Sequence, residues 1–80
     1  MKPAEKTRNR ISAALDAIDQ AADPLKVRFA AAYATGYVDA LHDEQVISID
    51  GAQLYREDIE ERRQSRLAGF GAEPDEPYSE

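Results

Sequence analysis

The fold is decided by residues 23–41, DPLKVRFAAAYATGYVDAL. Apolar side chains recur in this stretch at steps of three and four residues, which is the spacing of one face of a helix. Asp23 suits the N-cap position and Pro24 suits the first helical position, so the sequence predicts that a helix begins at this pair. The predicted apolar face consists of Leu25, Phe29, Ala32, Tyr33, Gly36, Tyr37, Ala40 and Leu41.

A helix is also predicted before this stretch, from about Pro3 to Ala22. Ile11, Leu15 and Ile18 give it an apolar stripe at helical spacing. The residue before a proline avoids the helical conformation, so the chain has to turn at Asp23. Because the connection is short, we expect the two helices to pack as an antiparallel hairpin.

Residues 46–55, VISIDGAQLY, are compatible with two structures. In one, Ser48 or Asp50 caps a third helix that runs to about Ala68 and stops at a left-handed Gly69. In the other, Asp50 and the glycine after it form the turn of a short β-hairpin. We favour the helix because an isolated hairpin is only marginally stable in water. The predicted fold is therefore an all-α three-helix bundle built on an antiparallel helical hairpin, and the alternative is two long helices with a short β-hairpin at 46–55.

Length and composition indicate one small cytoplasmic domain. The chain has 80 residues, a net charge of −6 and no cysteine, which fits a reducing compartment. No apolar run approaches the ~20 residues that span a bilayer, so we expect no contact with a membrane. A core this lean often needs a second copy or a partner to complete it. We divide the chain into a basic, partly frayed N-terminus at 1–10, a helical domain at 3–70 and an acidic disordered tail at 71–80.

The rings and small residues of the central helix are candidates for a protein interface. One interpretation is that the rings belong to the core and that Gly36 lets a helix of the same chain pack closely. The other is that they contact a second chain, because interfaces favour tyrosine and because a glycine inside a helix costs ~1 kcal/mol that some contact should offset. We expect part of this face to meet a second chain. The candidate interface residues are Phe29, Tyr33, Gly36, Tyr37 and Ala40.

The same helix carries a second, milder apolar face. It consists of Val27, Ala31, Ala34 and Val38. A helix that is apolar on two faces is usually central in its fold or shared between subunits. Both possibilities remain open from the sequence.

The acidic residues suggest an alternative function. Asp16, Asp19 and Asp23 lie three and four residues apart, a spacing that approaches the phosphate repeat of a nucleic-acid strand. Together with Asp39 and Asp43 they could form an acidic patch that mimics a nucleic acid and blocks a complex that handles DNA or RNA. The favoured interpretation is nevertheless a solvated helix face.

The arginines of the third helix suggest another alternative, a DNA-binding regulator. The candidate contacts are Arg56, Arg62, Arg63 and Arg66. Neighbouring acidic residues cancel their charge, and the spacing of Asp58 to Arg62 and of Glu60 to Arg63 favours ion pairs within the helix. We therefore do not expect nucleic acid as a partner.

No residue pattern predicts an enzyme. The serines lack a nucleophile motif, and the chain has no glycine-rich phosphate loop. His42 is the only histidine, and neither a second histidine nor a cysteine is available to complete a transition-metal site. We predict no catalytic residue, no metal site, no cofactor and no small-molecule substrate.

Residues 32–41, AYATGYVDAL, followed by Val46-Ile47-Ser48 and an acidic, arginine-rich helix, resemble short helical accessory proteins of bacterial plasmids and phages. Those proteins include regulators and inhibitors of host defence, anti-CRISPR proteins among them. The resemblance assigns no role to any individual residue. Together with the apolar face it predicts a non-enzymatic protein–protein interaction module whose partner is another protein or a second copy of itself, a homodimeric regulator or inhibitor.

Overall fold

Three helices make up residues 3–71, the part of the chain that the computed structural model describes. They are α1 (Pro3–Asp19), α2 (Pro24–Asp43) and α3 (Ile49–Gly69). Each helix packs against the other two, and no strand occurs within these residues. The all-α three-helix bundle is thus confirmed, and the alternative β-hairpin at 46–55 is wrong. The predictions for residues 1–2 and for the tail over 72–80 lie outside the described residues.

The start of α2 follows the prediction. Asp23 has an extended backbone (φ −154°, ψ 167°), and its Oδ1 accepts a hydrogen bond from the backbone N–H of Lys26 at 2.8 Å. Pro24 then opens the helix. The side chain of Asp23 therefore satisfies one of the backbone donors that a helix start leaves free.

The end of α1 differs from the prediction, because the helix stops at Asp19 and does not reach Ala22. The residues between α1 and Asp23 have to redirect the chain from a helix into an extended cap. One result is that the carbonyl of Ala21 becomes available to α3, where Arg66 donates two hydrogen bonds to it at 2.9 and 3.1 Å.

The start of α3 decides between the two predicted caps in favour of Ser48. Its Oγ accepts a hydrogen bond from the backbone N–H of Gly51 at 3.1 Å. At the other end, the prediction of a left-handed Gly69 is wrong. Gly69 is still helical, Phe70 is the cap, and Gly71 has the left-handed backbone with φ 78°. The left-handed conformation belongs to the residue after the C-cap, so Gly69, as the last helical residue, keeps a helical backbone.

The end of α2 carries a left-handed residue that is not glycine. Gln45 has φ 62°, its N–H donates to the carbonyl of His42 at 2.9 Å, and the N–H of Val46 donates to the carbonyl of Leu41 at 2.8 Å. This pair of bonds is the Schellman arrangement, which satisfies carbonyls at a helix end. It holds a backbone conformation that costs a residue with a side chain roughly 1 kcal/mol or more.

The core is built from aliphatic and small side chains. Because α2 packs against both other helices, its buried side presents valines and alanines, which let both neighbours approach closely. The apolar face that the sequence ranked second is therefore the one that forms the core. The buried residues are Ile11, Ala14, Leu15, Ile18, Ala21, Val27, Ala31, Ala34, Val38, Ala52, Ile59 and Leu67.

Candidate protein-binding face

The side of α2 that points away from the core is an uncharged surface, which we call the outer face. Its three large side chains are well exposed: Leu25 by 59%, Phe29 by 64% and Tyr33 by 66%. At about 100° per residue, these positions lie opposite the buried valines and alanines. The interpretation of Phe29 and Tyr33 as core residues is therefore wrong. The outer face comprises Leu25, Phe29, Ala32, Tyr33, Gly36 and Ala40, all of them exposed.

Tyr37 borders the outer face and positions the ring of Tyr33. Tyr37 is half-buried and packs against the core, and the two rings are parallel, with centroids 6.3 Å apart and planes 1° apart. Both rings also line a shallow groove against α1, beside Ala13 and Ala17. A ring held in this way loses little conformational freedom when a partner binds. The structure thus places four of the five predicted interface residues on the outer face and Tyr37 at its edge.

Gly36 lies in the middle of the outer face with open space above it. A Cβ built on this residue would meet no atom within 4 Å. The interpretation that Gly36 allows a helix of the same chain to pack closely is therefore wrong. The helix-weakening effect of the glycine, about 1 kcal/mol relative to alanine, is offset by no close contact within the described chain.

Four charged residues flank the outer face in a polarised order. Arg28 and Asp39 border it on the α3 side, where they line a groove between the two helices. Lys26 and Glu44 fall on the α1 side, in the helical row that contains Tyr33. The two bases thus lie near the start of α2 and the two acids near its end. Only Asp39 is among the predicted site residues, because the other three become recognisable once the buried face is known.

Arg62 connects α3 to α1 through acidic residues that the sequence placed in an acidic patch. Its Nη1 lies 2.6 Å from Oδ2 of Asp19 and 3.8 Å from Oδ1 of Asp16, and its Nε donates to Asp58 at 2.9 Å. The hydrogen bond to Asp58 is the main cause that raises the pKa of Arg62; the three negative charges add to it, and partial burial opposes it. The predicted pair of Asp58 with Arg62 is confirmed. Arg62 therefore links Asp16 and Asp19 to α3, although three carboxylates share its single positive charge.

The other predicted acidic residues lie apart from that pair. Asp39 Oδ1 accepts hydrogen bonds from Nε and Nη2 of Arg56 at 2.9 and 2.8 Å. Asp23 caps the start of α2, and Asp43 is exposed at its end. The structure does not bring the five acidic residues together into one patch.

The remaining arginines of α3 also make contacts within the bundle. Arg63 pairs with Glu60, which confirms the second predicted intrahelical pair. Arg66 places its guanidinium 4.8 Å from the ring centroid of Phe70 while it donates to the carbonyl of Ala21. These arginines stabilise helix contacts, so their arrangement lends no support to a nucleic-acid surface.

Within residues 3–71, no three or more His, Cys, Asp or Glu side chains are grouped so that they could hold a metal ion. None of the three described helices combines the length and the apolar character that a membrane crossing requires. Comparison with protein-family models, with curated proteins and with solved structures finds no match to this chain.

Proposed function

We propose that this chain is a small non-enzymatic protein–protein interaction module, a homodimeric regulator or inhibitor, and that the outer face of α2 is its contact surface. The observation that carries the proposal is the row of Leu25, Phe29 and Tyr33, three large apolar side chains exposed side by side on one helix. Single exposed apolar residues are common on soluble proteins, whereas a continuous row marks a contact site.

The position of α2 within the bundle supports the same conclusion. This helix is already packed against α1 and α3 through its inner side, yet its outer side is also apolar. A helix with two apolar faces is usually enclosed on both. A further chain on the outer face would enclose it.

The composition of the outer face is typical of an interface centre. Aromatic residues are enriched there and charged residues are depleted, and this face has two rings and no charge along its length. Phe29 and Tyr33 would act as anchors, since hot spots are rigid aromatic residues near the middle of a contact. The neighbouring ring of Tyr37 keeps one anchor oriented.

Sedimentation velocity over a concentration series tests the proposal. We expect the full chain to form a dimer at high concentration and the variant Phe29→Ser/Tyr33→Ser to be monomeric with an unchanged far-UV circular dichroism spectrum. The matched control is Leu54→Ser, because Leu54 is an apolar residue of α3 with the same exposure as Tyr33, 66%. This control should leave the dimer intact.

A specific result would overturn the proposal. The proposal fails if the wild-type chain remains monomeric at the highest concentration and also captures no protein from a bacterial lysate. Equal loss of the dimer in the Leu54 and Phe29/Tyr33 variants would likewise remove the outer face as the contact surface.

A further inference from the structure

We infer that the occupant of the outer face is a second copy of the chain with its α2 antiparallel, so that Phe29 of one protomer packs over Ala40 of its partner and Tyr33 packs over Gly36. This inference rests on the proposed function and adds the direction and the register of the contact. It follows from two independent features of α2: the order of its side-chain sizes and the order of its charges.

The sizes of the side chains change along the outer face. The rings of Phe29 and Tyr33 lie toward the start of α2, and the smallest residues, Gly36 and Ala40, lie toward its end. A two-fold axis perpendicular to α2, at the level between residues 34 and 35, places each ring over a small residue. The pair 29 with 40 and the pair 33 with 36 are both centred on this level. In a parallel pair, rings would face rings and Gly36 would face another Gly36, which leaves a gap between the helices.

The open space above Gly36 is compatible with a ring from outside the chain. No atom lies within 4 Å of the position where its Cβ would be. Tyr33 lies one helical turn away and is held by its stack with Tyr37, so a second copy would present the same ordered ring to that space. In an isologous contact both protomers use the same residues, so Tyr33 of each protomer would fill the space above Gly36 of the other.

The charges beside the outer face are arranged for the same direction. Antiparallel packing about this axis brings Lys26 of one protomer near Glu44 of its partner on the α1 side. It brings Arg28 near Asp39 on the α3 side. Among residues 3–71, Lys26, Arg28 and Glu44 form no ion pair, whereas Asp39 pairs with Arg56. Every one of these contacts would join opposite charges, while a parallel pair would join like charges.

The helix itself does not account for this order of charges. A helix dipole favours acidic residues at the start and basic residues at the end. The N-cap Asp23 and His42 in the last turn follow this preference, whereas two bases near the start and the acidic residues near and just beyond the end run against it. The dipole of an antiparallel second helix points the opposite way. It would therefore offset the unfavourable interaction between these charges and the dipole of their own helix.

The size of the face sets the expected strength. From Leu25 to Ala40 it is about 22 Å long, at 1.5 Å per residue, and it is one helix wide. A contact of this size is at the lower end of stable interfaces, so we expect a dissociation constant of roughly micromolar order. Samples well above that concentration will therefore contain mainly dimer, and samples well below it will contain mainly monomer.

Cysteine cross-linking tests the register directly, because the chain has no cysteine of its own. Phe29→Cys and Ala40→Cys are oxidised separately and as an equimolar mixture. We expect the mixture to give covalent dimer in at least about tenfold greater yield than either variant alone, since only residues 29 and 40 of different protomers come within disulfide distance. Self-cross-linking of each variant, with no gain on mixing, indicates a parallel pair and overturns the inference.

A charge exchange provides a second readout that leaves the rings in place. Lys26→Glu and Glu44→Lys should each weaken the dimer by about fivefold to tenfold, and the double variant should return to within about twofold of wild type. Failure of the double variant to recover overturns the antiparallel register. A dimer that sediments normally but fails both tests retains the proposed function and excludes this geometry, whereas a chain that is monomeric and binds no protein excludes both.

Discussion

The two sides of α2 are both apolar, yet one is the core of the bundle and the other faces solvent. The inner side consists of Val27, Ala31, Ala34 and Val38, which are at most 3% exposed. The outer side presents the larger apolar residues Leu25, Phe29 and Tyr33. Available space, and not hydrophobicity, therefore selects the core side of a helix that packs between two others. Rings would hold α1 and α3 apart, whereas valine and alanine let both approach.

The largest contrast is expected from one substitution made on each side. Ala34→Asp places a charge in the core and should lower the free energy of unfolding by about 4 kcal/mol or more, which is most of the stability of a small domain. Ala32→Asp makes the same change on the exposed side and should lower it by only about 0.5 kcal/mol, through helix propensity. Urea unfolding followed by circular dichroism measures both. Equal losses at the two positions would refute the assignment of the inner and outer sides.

Two arginines offer a smaller contrast. Arg62→Gln removes the guanidinium that connects Asp19 of α1 to Asp58 of α3, and it should lower the free energy of unfolding by about 1–2 kcal/mol. Arg28→Gln removes a guanidinium beside the outer face that has no ion pair within residues 3–71. It should leave stability within about 0.5 kcal/mol of wild type but weaken the dimer.

The control for this pair is salt. The raised pKa of Arg62 keeps it cationic at neutral pH, and its contribution is lost as the pH rises through that pKa. Ionic strength is therefore the practical variable, and added salt should reduce the gap between wild type and Arg62→Gln. A gap that does not respond to salt would assign the effect to packing of the arginine side chain.

The third contrast is at Gly36, where the sign of the effect should depend on protein concentration. At concentrations where the chain is monomeric, Gly36→Ala should raise the free energy of unfolding by about 1 kcal/mol, because alanine favours the helix and no neighbour within the chain obstructs its Cβ. At concentrations where the dimer forms, the added methyl group occupies the space proposed for Tyr33 and should weaken association by severalfold.

Ala40→Gly is the reverse change on the same face and serves as the control. It should lower monomer stability by about 1 kcal/mol. The measurement is urea unfolding in dilute solution, paired with sedimentation at high concentration. Destabilisation of the dilute monomer by Gly36→Ala would show that this glycine has a close neighbour within its own chain.

Local signals were sufficient to predict the helices from the sequence. Asp23 with Pro24 marks one start and Ser48 marks another, because a cap acts on backbone groups only two or three residues away. The end of α1 and the position of the left-handed glycine were mispredicted. Both depend on the path of the chain after the helix, which the packing of the bundle sets. The intrahelical pair of Asp58 with Arg62 was predictable for the same local reason.

The core side of α2 and the contacts between helices were not predictable in this way. Arg62 and Asp19 are 43 residues apart, and only the bundle brings them together. Phe29 and Tyr33 were recognised as members of one apolar face, but the interpretation that placed them in the core was wrong, because large rings rank above alanine on any hydrophobic scale. Ala14 and Ala52 on the neighbouring helices are also buried, so small residues were the available signal of close helix packing in this core.

Arg66 near the end of α3 contacts Ala21 just after the end of α1, so the three helices run up, down and up, and this course bears on gene fusion. An odd number of helices puts the two ends of the described chain, Pro3 and Gly71, at opposite ends of the bundle, about 30 Å apart along a helix of 20 residues. In the antiparallel dimer proposed above, the C-terminal end of α3 in one protomer lies level with the N-terminal end of α1 in the other. A tandem fusion of two copies therefore needs a linker that crosses only the width of the pair, while a parallel pair would require it to run back along the whole length as well.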